Sequence, residues 1–92
     1  MMNEFKYFIA VQVEEDGKLI EKYYANDERS GGYPYFDDYI RYHEVRAFKS
    51  IEDIKKFLKK EYNEETNSFN ACYHKFVGKP YVVELVLNRI EL

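Results

Sequence analysis

Phe5-Lys6-Tyr7-Phe8-Ile9-Ala10-Val11-Gln12-Val13-Glu14-Glu15-Asp16-Gly17-Lys18-Leu19-Ile20-Glu21-Lys22-Tyr23-Tyr24-Ala25 decides the fold. Phe5, Tyr7, Ile9, Val11 and Val13 alternate with Lys6, Phe8, Ala10, Gln12 and Glu14. That period of two is a strand with one strongly apolar face. Asp16-Gly17 follows, at the centre of Glu15-Asp16-Gly17-Lys18. Asp-Gly between two β-rich runs is the strongest short-range hairpin signal. Leu19 to Ala25, rich in Ile and Tyr, supplies the second strand.

Working outward, Asn26 to Asp38 reads as a long irregular connection of polar, glycine and aromatic residues. Tyr39 to Phe48 reads as a third extended segment anchored by Ile40, Tyr42, Val45 and Phe48, with a bulge or break near His43-Glu44. Ser50 opens a helix, with Asp53 three residues on as a variant capping box. Ile51, Ile54, Phe57, Leu58 and Tyr62 form its apolar stripe. Glu52 and Lys56 stand at pairing distance, and fraying is expected over Asn63 to Asn67. Phe69 to Val77 is a fourth strand, Gly78-Lys79-Pro80 a turn, and Tyr81 to Leu87 a fifth strand. That last run is apolar on both faces, which predicts a central place in the sheet.

The order β-β-loop-β-α-β-β predicts an α+β fold: an antiparallel sheet of about five strands with one helix packed on one face. Residues 1–92 form a single domain with one modest core. The other face is left uncovered, with Phe8, Ala10, Tyr24 and several tyrosines expected there. An exposed apolar patch predicts homo-oligomerisation through that face.

Ten Tyr and seven Phe supply enough ring surface for the core, with hydroxyls left for its rim. A net charge of -3 shows no basic field, so nucleic acid is an unexpected partner. Cys72 is the only cysteine, which excludes an intrachain disulfide and fits a reducing compartment. No signal peptide and no apolar run long enough to span a bilayer is read from the residues, so a cytoplasmic location without membrane contact is expected.

Chemistry concentrates in Arg29-Ser30-Gly31-Gly32-Tyr33-Pro34-Tyr35-Phe36. Two glycines free the backbone to expose consecutive amides, a nest for phosphate or carboxylate. Arg29 adds a bidentate cation, and Tyr33, Tyr35 or Phe36 can stack on a flat heterocycle. The competing reading is a structural loop with Tyr33 and Phe36 plugged into the core. The segment matches neither the dinucleotide fingerprint nor the Walker pattern, so no cofactor is expected.

His43-Glu44 lacks the second histidine of a zinc-protease helix, and Cys72 with His74 lacks a second ligand pair. An ordinary buried thiol and an edge histidine are the simpler reading. No orienting group completes a catalytic set, so a non-enzymatic protein is expected. Lys55, Lys56, Lys59 and Lys60 read as a solvated helix face rather than a nucleic-acid contact. Asp37-Asp38 and Glu64-Glu65 lack calcium-loop spacing.

Over residues 23–58 the chain resembles small proteins of phages and prophages of Gram-positive bacteria. The resemblance is carried by a Tyr-x-Ala-type strand end leading into Ser30-Gly31-Gly32-Tyr33-Pro34-Tyr35, then Ala47-Phe48-Lys49-Ser50 and a short helix from Ile51 to Leu58. From Asn63 onward there is no match. The resemblance transfers no activity. It implies a cytoplasmic, phage-encoded accessory protein made early in infection of a bacterial host, of the kind that counters host defence.

Two expectations follow from loop and context together. In the first, Arg29, Ser30, Gly31 and Gly32 hold the phosphate of a nucleotide-like immune signal, with Tyr33, Tyr35 and Phe36 supplying rings. A second subunit would complete the site. In the second, the tyrosines anchor a protein–protein inhibitor of a host or defence protein. Asp27, Glu28, Asp37 and Asp38 would then steer it toward a basic surface.

Overall fold

Alternation becomes strand where the apolar positions of residues 7–15 find partners on both sides. A computed structural model describes residues 6–26, 34–39, 45–70 and 75–85. Strand β1 (Tyr7–Glu15) pairs antiparallel with β2 (Lys18–Ala25), from Ala10 opposite Tyr23 to Glu15 opposite Lys18. Asp16 and Gly17 join them with φ of 51° and 78°. Positive φ at both positions is what a two-residue hairpin turn with the correct twist requires.

Strand β3 (Tyr35–Asp37) adds to β2, with Ala25 opposite Tyr35 and Tyr23 opposite Asp37. Strand β4 (Ala47–Phe48) pairs with Phe8 and Tyr7 of β1, and Val45 makes an isolated bridge to Ala25. Helix α1 (Ile51–Glu61) leads into a hairpin of β5 (Tyr62–Asn63) and β6 (Ser68–Phe69). Strand β7 (Val77–Glu84) runs along the other side of β1. The result is the expected α+β architecture, a five-stranded antiparallel sheet curled as a half-barrel with one helix, plus a small second sheet.

The helix is bounded by side chains. Ser50 Oγ accepts the Asp53 amide at 3.1 Å, while Glu52 and Asp53 occupy the positive first turn and Lys59 and Lys60 the negative last turn. Glu52 reaches Lys55 at 3.6 Å, one residue short of the expected Lys56. At the far end the Tyr62 amide donates to Leu58 O, and the Asn70 amide to Glu61 O at 2.9 Å. The chain therefore does not fray after Tyr62. It turns back through Glu64–Asn67, with Asn63 Oδ1 accepting the amides of Glu65 and Thr66 at 2.9 and 3.3 Å.

Two clusters cover the two faces. On the helix side Ile9, Val11, Tyr24, Phe36, Phe48, Ile54 and Phe69 are buried together, with Phe57, Leu58 and Val82 packed against them. Its rings meet largely edge to face: Tyr24 lies 5.8 Å from Phe36 at 80° and 5.2 Å from Phe57 at 71°. On the other side Phe8, Ala25 and Val45 are buried, with Tyr23, Tyr35 and Ala47 against them.

Several expectations need correction. Phe8 is only 5% and Ala10 0% exposed, and Tyr24 belongs to the helix side. The open apolar face that motivated homo-oligomerisation therefore loses those residues. The connection after β2 is shorter than expected, because Tyr35–Asp37 is strand. Of the third segment, Ala47–Phe48 is strand and Val45 a bridge, while Ile40 and Tyr42 lie outside the described residues. The fourth strand is not continuous, since Phe69 ends β6 and Lys75-Phe76 precede β7. Gly78-Lys79-Pro80 is no turn. Gly78 has φ 76° inside β7, where the register against β1 shifts between Ala10 and Gln12. Glycine at positive φ serves a bulge as readily as a turn. The apolar run from Tyr81 flanks β1, and β1 is the central strand.

Because Ile54 is 1% exposed and Ile51 45%, the two should separate in urea denaturation. Ile54→Ala is expected to cost about 2–5 kcal/mol and Ser50→Ala about 1 kcal/mol. Ile51→Ala should stay within about 0.5 kcal/mol of wild type.

Candidate functional site

The pairing of Ala25 with Tyr35 closes the base of the 26–34 connection. Arg29, Ser30, Gly31, Gly32 and Tyr33 lie outside the described residues, as do His43, Glu44, Cys72 and His74. Tyr35 is half-buried against the Phe8, Ala25 and Val45 cluster. Phe36 does not serve as a ligand-facing ring. It is 6% exposed and packs against Tyr24, Phe69 and Phe76. Alternation explains the split, since Phe36 sits opposite Tyr24 on the helix side and Tyr35 opposite Ala25 on the other.

The sheet face away from the helix carries a constellation that sequence reading missed. Glu21, Gln12 and Tyr81 come from β2, β1 and β7. Gln12 stands directly opposite Glu21, while Ala10 stands between Tyr23 and Tyr81. The Tyr23 hydroxyl donates to Glu21 Oε1 and the Tyr81 hydroxyl to Glu21 Oε2, both at 2.6 Å. Gln12 Nε2 donates to the Tyr81 oxygen at 2.6 Å. All four residues are half-buried. No lysine or arginine among the described residues pairs with Glu21.

Two hydroxyl donors stabilise the charged carboxylate, Tyr23 more than Tyr81, and hold Glu21 below the usual glutamate range. The same bonds oppose ionisation of the rings. Tyr23 is pushed up to about 12, first by its bond to Glu21 and then by burial. Tyr81 is raised by burial and then by Glu21, with Gln12 pulling the other way.

The exposed and half-buried positions of this face are largely acidic and aromatic, around the buried Phe8, Ala10 and Ala25. By alternation β1 presents Phe8, Ala10, Gln12 and Glu14, β2 presents Leu19, Glu21, Tyr23 and Ala25, and β3 presents Tyr35 and Asp37. No lysine or arginine falls among them. Lys22 points to the opposite face, where it binds Glu15 at 2.6 Å and Asp38 at 3.0 Å. Those two carboxylates raise its pKa, Glu15 first. Leu19 is 59% exposed.

The lysines of α1 lie elsewhere, around an open depression that also takes in Lys79 and Pro80. Lys55 is paired with Glu52, and Lys79 with Glu64 at 3.1 Å. With Glu65 on the same surface, opposite charges are interspersed, which fits a solvated face. Among the described residues no group of three or more metal-ligating side chains occurs, and no helix is long and apolar enough to cross a membrane. The chain matches no protein-family model, no curated protein and no solved structure.

The cluster has a two-sided pH signature. Glu21 is depressed on folding, so its contribution is complete above the ordinary glutamate range and disappears as pH falls through its lowered value. Tyr23 is raised on folding, so its contribution is complete below the usual tyrosine value of 10.0 and disappears as pH rises toward about 12. NMR titration of ring-labelled tyrosine should find Tyr23 ionising near about 12. Glu21→Gln should bring that ring back toward its ordinary value, and an unchanged ring would refute the assignment.

Proposed function

We propose that this chain is a non-enzymatic binding protein that docks on the basic surface of a partner protein through the sheet face centred on Glu21. The carrying observation is that face itself. It presents Glu14, Glu21 and Asp37 beside Tyr23, Tyr35 and Tyr81, with no cation at the outward positions of the three strands. Tyrosine is enriched in binding hot spots because it offers large, rigid contact area with a polar tip. Here two of the hydroxyls are held in place by Glu21, which lowers the ordering cost of binding. In the phage setting that the resemblance implies, the partner would be a host or defence protein and docking would inhibit it.

A second reading keeps the segment 26–34 as receptor for a phosphate-bearing, nucleotide-like signal. The pairing of Ala25 with Tyr35 favours it, because it pins both ends of the loop to one point of the sheet edge. With Phe36 in the core and Tyr35 leaning on a buried cluster, its ring contacts reduce chiefly to Tyr33. A small ligand also prefers a concave pocket, whereas the tyrosine face is a sheet surface suited to a macromolecule.

Capture from a Gram-positive lysate with the full chain, followed by cross-link mapping, separates the two. Docking predicts a stoichiometric partner cross-linked to β1–β3 through its basic residues. Leu19→Asp alters only an exposed side chain and should reduce capture by about tenfold at unchanged thermal stability. A partner held equally by Leu19→Asp, or cross-linked only to α1, would overturn the reading. A rise in melting temperature with cyclic dinucleotides, abolished by Arg29→Ala, would establish the second reading instead.

A further inference from the structure

We infer that Glu21 is the seat of an arginine side chain, its guanidinium capping the carboxylate between the rings of Tyr23 and Tyr81. This rests on the proposal that the face docks a basic protein surface, and it names the group recognised. A carboxylate has about four acceptor directions over its two oxygens. Here one hydroxyl occupies each oxygen at 2.6 Å, so each oxygen keeps acceptor capacity for a further donor. A guanidinium offers several N–H donors in a planar fork and can serve both oxygens of one carboxylate. An ammonium is a point charge and can satisfy only one such direction well.

The surroundings favour the same group. Glu21 is half-buried and ionised, yet its donors are neutral and no cation among the described residues compensates it. The two hydroxyls keep the carboxylate charged without neutralising it, so it remains an anionic acceptor for a partner's cation. Tyr23 and Tyr81 stand on either side of Ala10 beside this carboxylate, and planar guanidinium stacks on aromatic rings better than ammonium does. The chain uses this chemistry on its other face, where the Arg46 guanidinium lies 4.9 Å from the Phe57 ring centre and 5.3 Å from that of Phe48. Anions are repelled at Glu21. Gln12 anchors the Tyr81 hydroxyl, so the seat keeps its shape without a ligand.

The test titrates the full chain with blocked tripeptides, Gly-Arg-Gly against Gly-Lys-Gly and Gly-citrulline-Gly, while NMR follows the Tyr23 and Tyr81 rings. The arginine peptide should shift both rings with millimolar affinity, weaken with added salt, and bind at least about threefold tighter than the lysine peptide. Citrulline, which keeps the shape without the charge, should shift neither ring. Glu21→Gln should lower arginine binding by about tenfold. Tyr81→Phe keeps the ring and removes its hydroxyl, so it should weaken binding less than Glu21→Gln does. Equal binding of citrulline, tighter binding of lysine, or indifference to Glu21→Gln would each overturn the seat. The two proposals fail separately. A protein partner lost on Leu19→Asp but kept by Glu21→Gln would leave docking standing and remove the seat. Arginine binding at Glu21 with no captured partner would do the reverse.

Discussion

The structure depends on burying β1 on both faces. Phe8, Ile9, Ala10 and Val11 are consecutive and all buried, so successive side chains enter opposite dry clusters. An ordinary half-solvated strand needs cover on one face only. β1 must hold α1 and the aromatic cluster on one side while Phe8 and Ala10 are shielded on the other. It also pairs on both edges, with β2 and β4 on one and β7 on the other, since β4 and β7 share Tyr7 and Phe8 while β2 and β7 share Ala10. A one-residue slip would exchange the clusters and place Gln12 among the rings. The Asp16-Gly17 turn guards against that slip by setting the β1–β2 register locally.

That register also makes the Glu21 cluster. Ala10 lies between Tyr23 and Tyr81, and Gln12 opposite Glu21. The tyrosine of β7 crosses β1 to reach a carboxylate on β2, which is possible over a residue as small as alanine. The small side chain at Ala10 is therefore a condition of the site as well as of the core. The bulge at Gly78 contributes too, because it absorbs the shift between Ala10 and Gln12 beyond the pairing of Tyr81 with Ala10.

What the residues disclosed in advance was local. The hairpin and the helix were legible because Asp16-Gly17 and Ser50 act on their immediate neighbours. The β5–β6 hairpin was not, because Asn63 and Asn67 read equally well as fraying. Gly78-Lys79-Pro80 suggests a turn because glycine in sequence does not distinguish a turn from a bulge. The run from Tyr81 suggests a central strand because a stretch apolar on both faces reports burial and says nothing of strand order. The Glu21 cluster was half visible: Glu21 and Tyr23, two apart on a strand, share a face by period alone. Tyr81 is 60 positions away from Glu21, and no local pattern joins them. The loop chemistry drew attention because glycine and tyrosine stood together in sequence, whereas the tyrosines on the sheet face are assembled by pairing.

The charge layout bears on which face a partner meets. A net charge of -3 suggests a weakly acidic chain without polarity. The described residues instead put Glu14, Glu21 and Asp37 together on one face of the sheet, while on the helix that covers the other Lys55, Lys56, Lys59 and Lys60 are interspersed with Glu52, Asp53 and Glu61. Under the proposed docking, a basic partner within a Debye length would be drawn toward the tyrosine face before contact forms. On the helix side, Lys22 consumes Glu15 and Asp38 in local pairs, so those acids add little to the field there. Glu21 is left as an ionised acid whose donors are neutral, with Tyr23 and Tyr81 beside it. Under that proposal, orientation by the long-range field and retention by short-range chemistry would act at the same place on the surface.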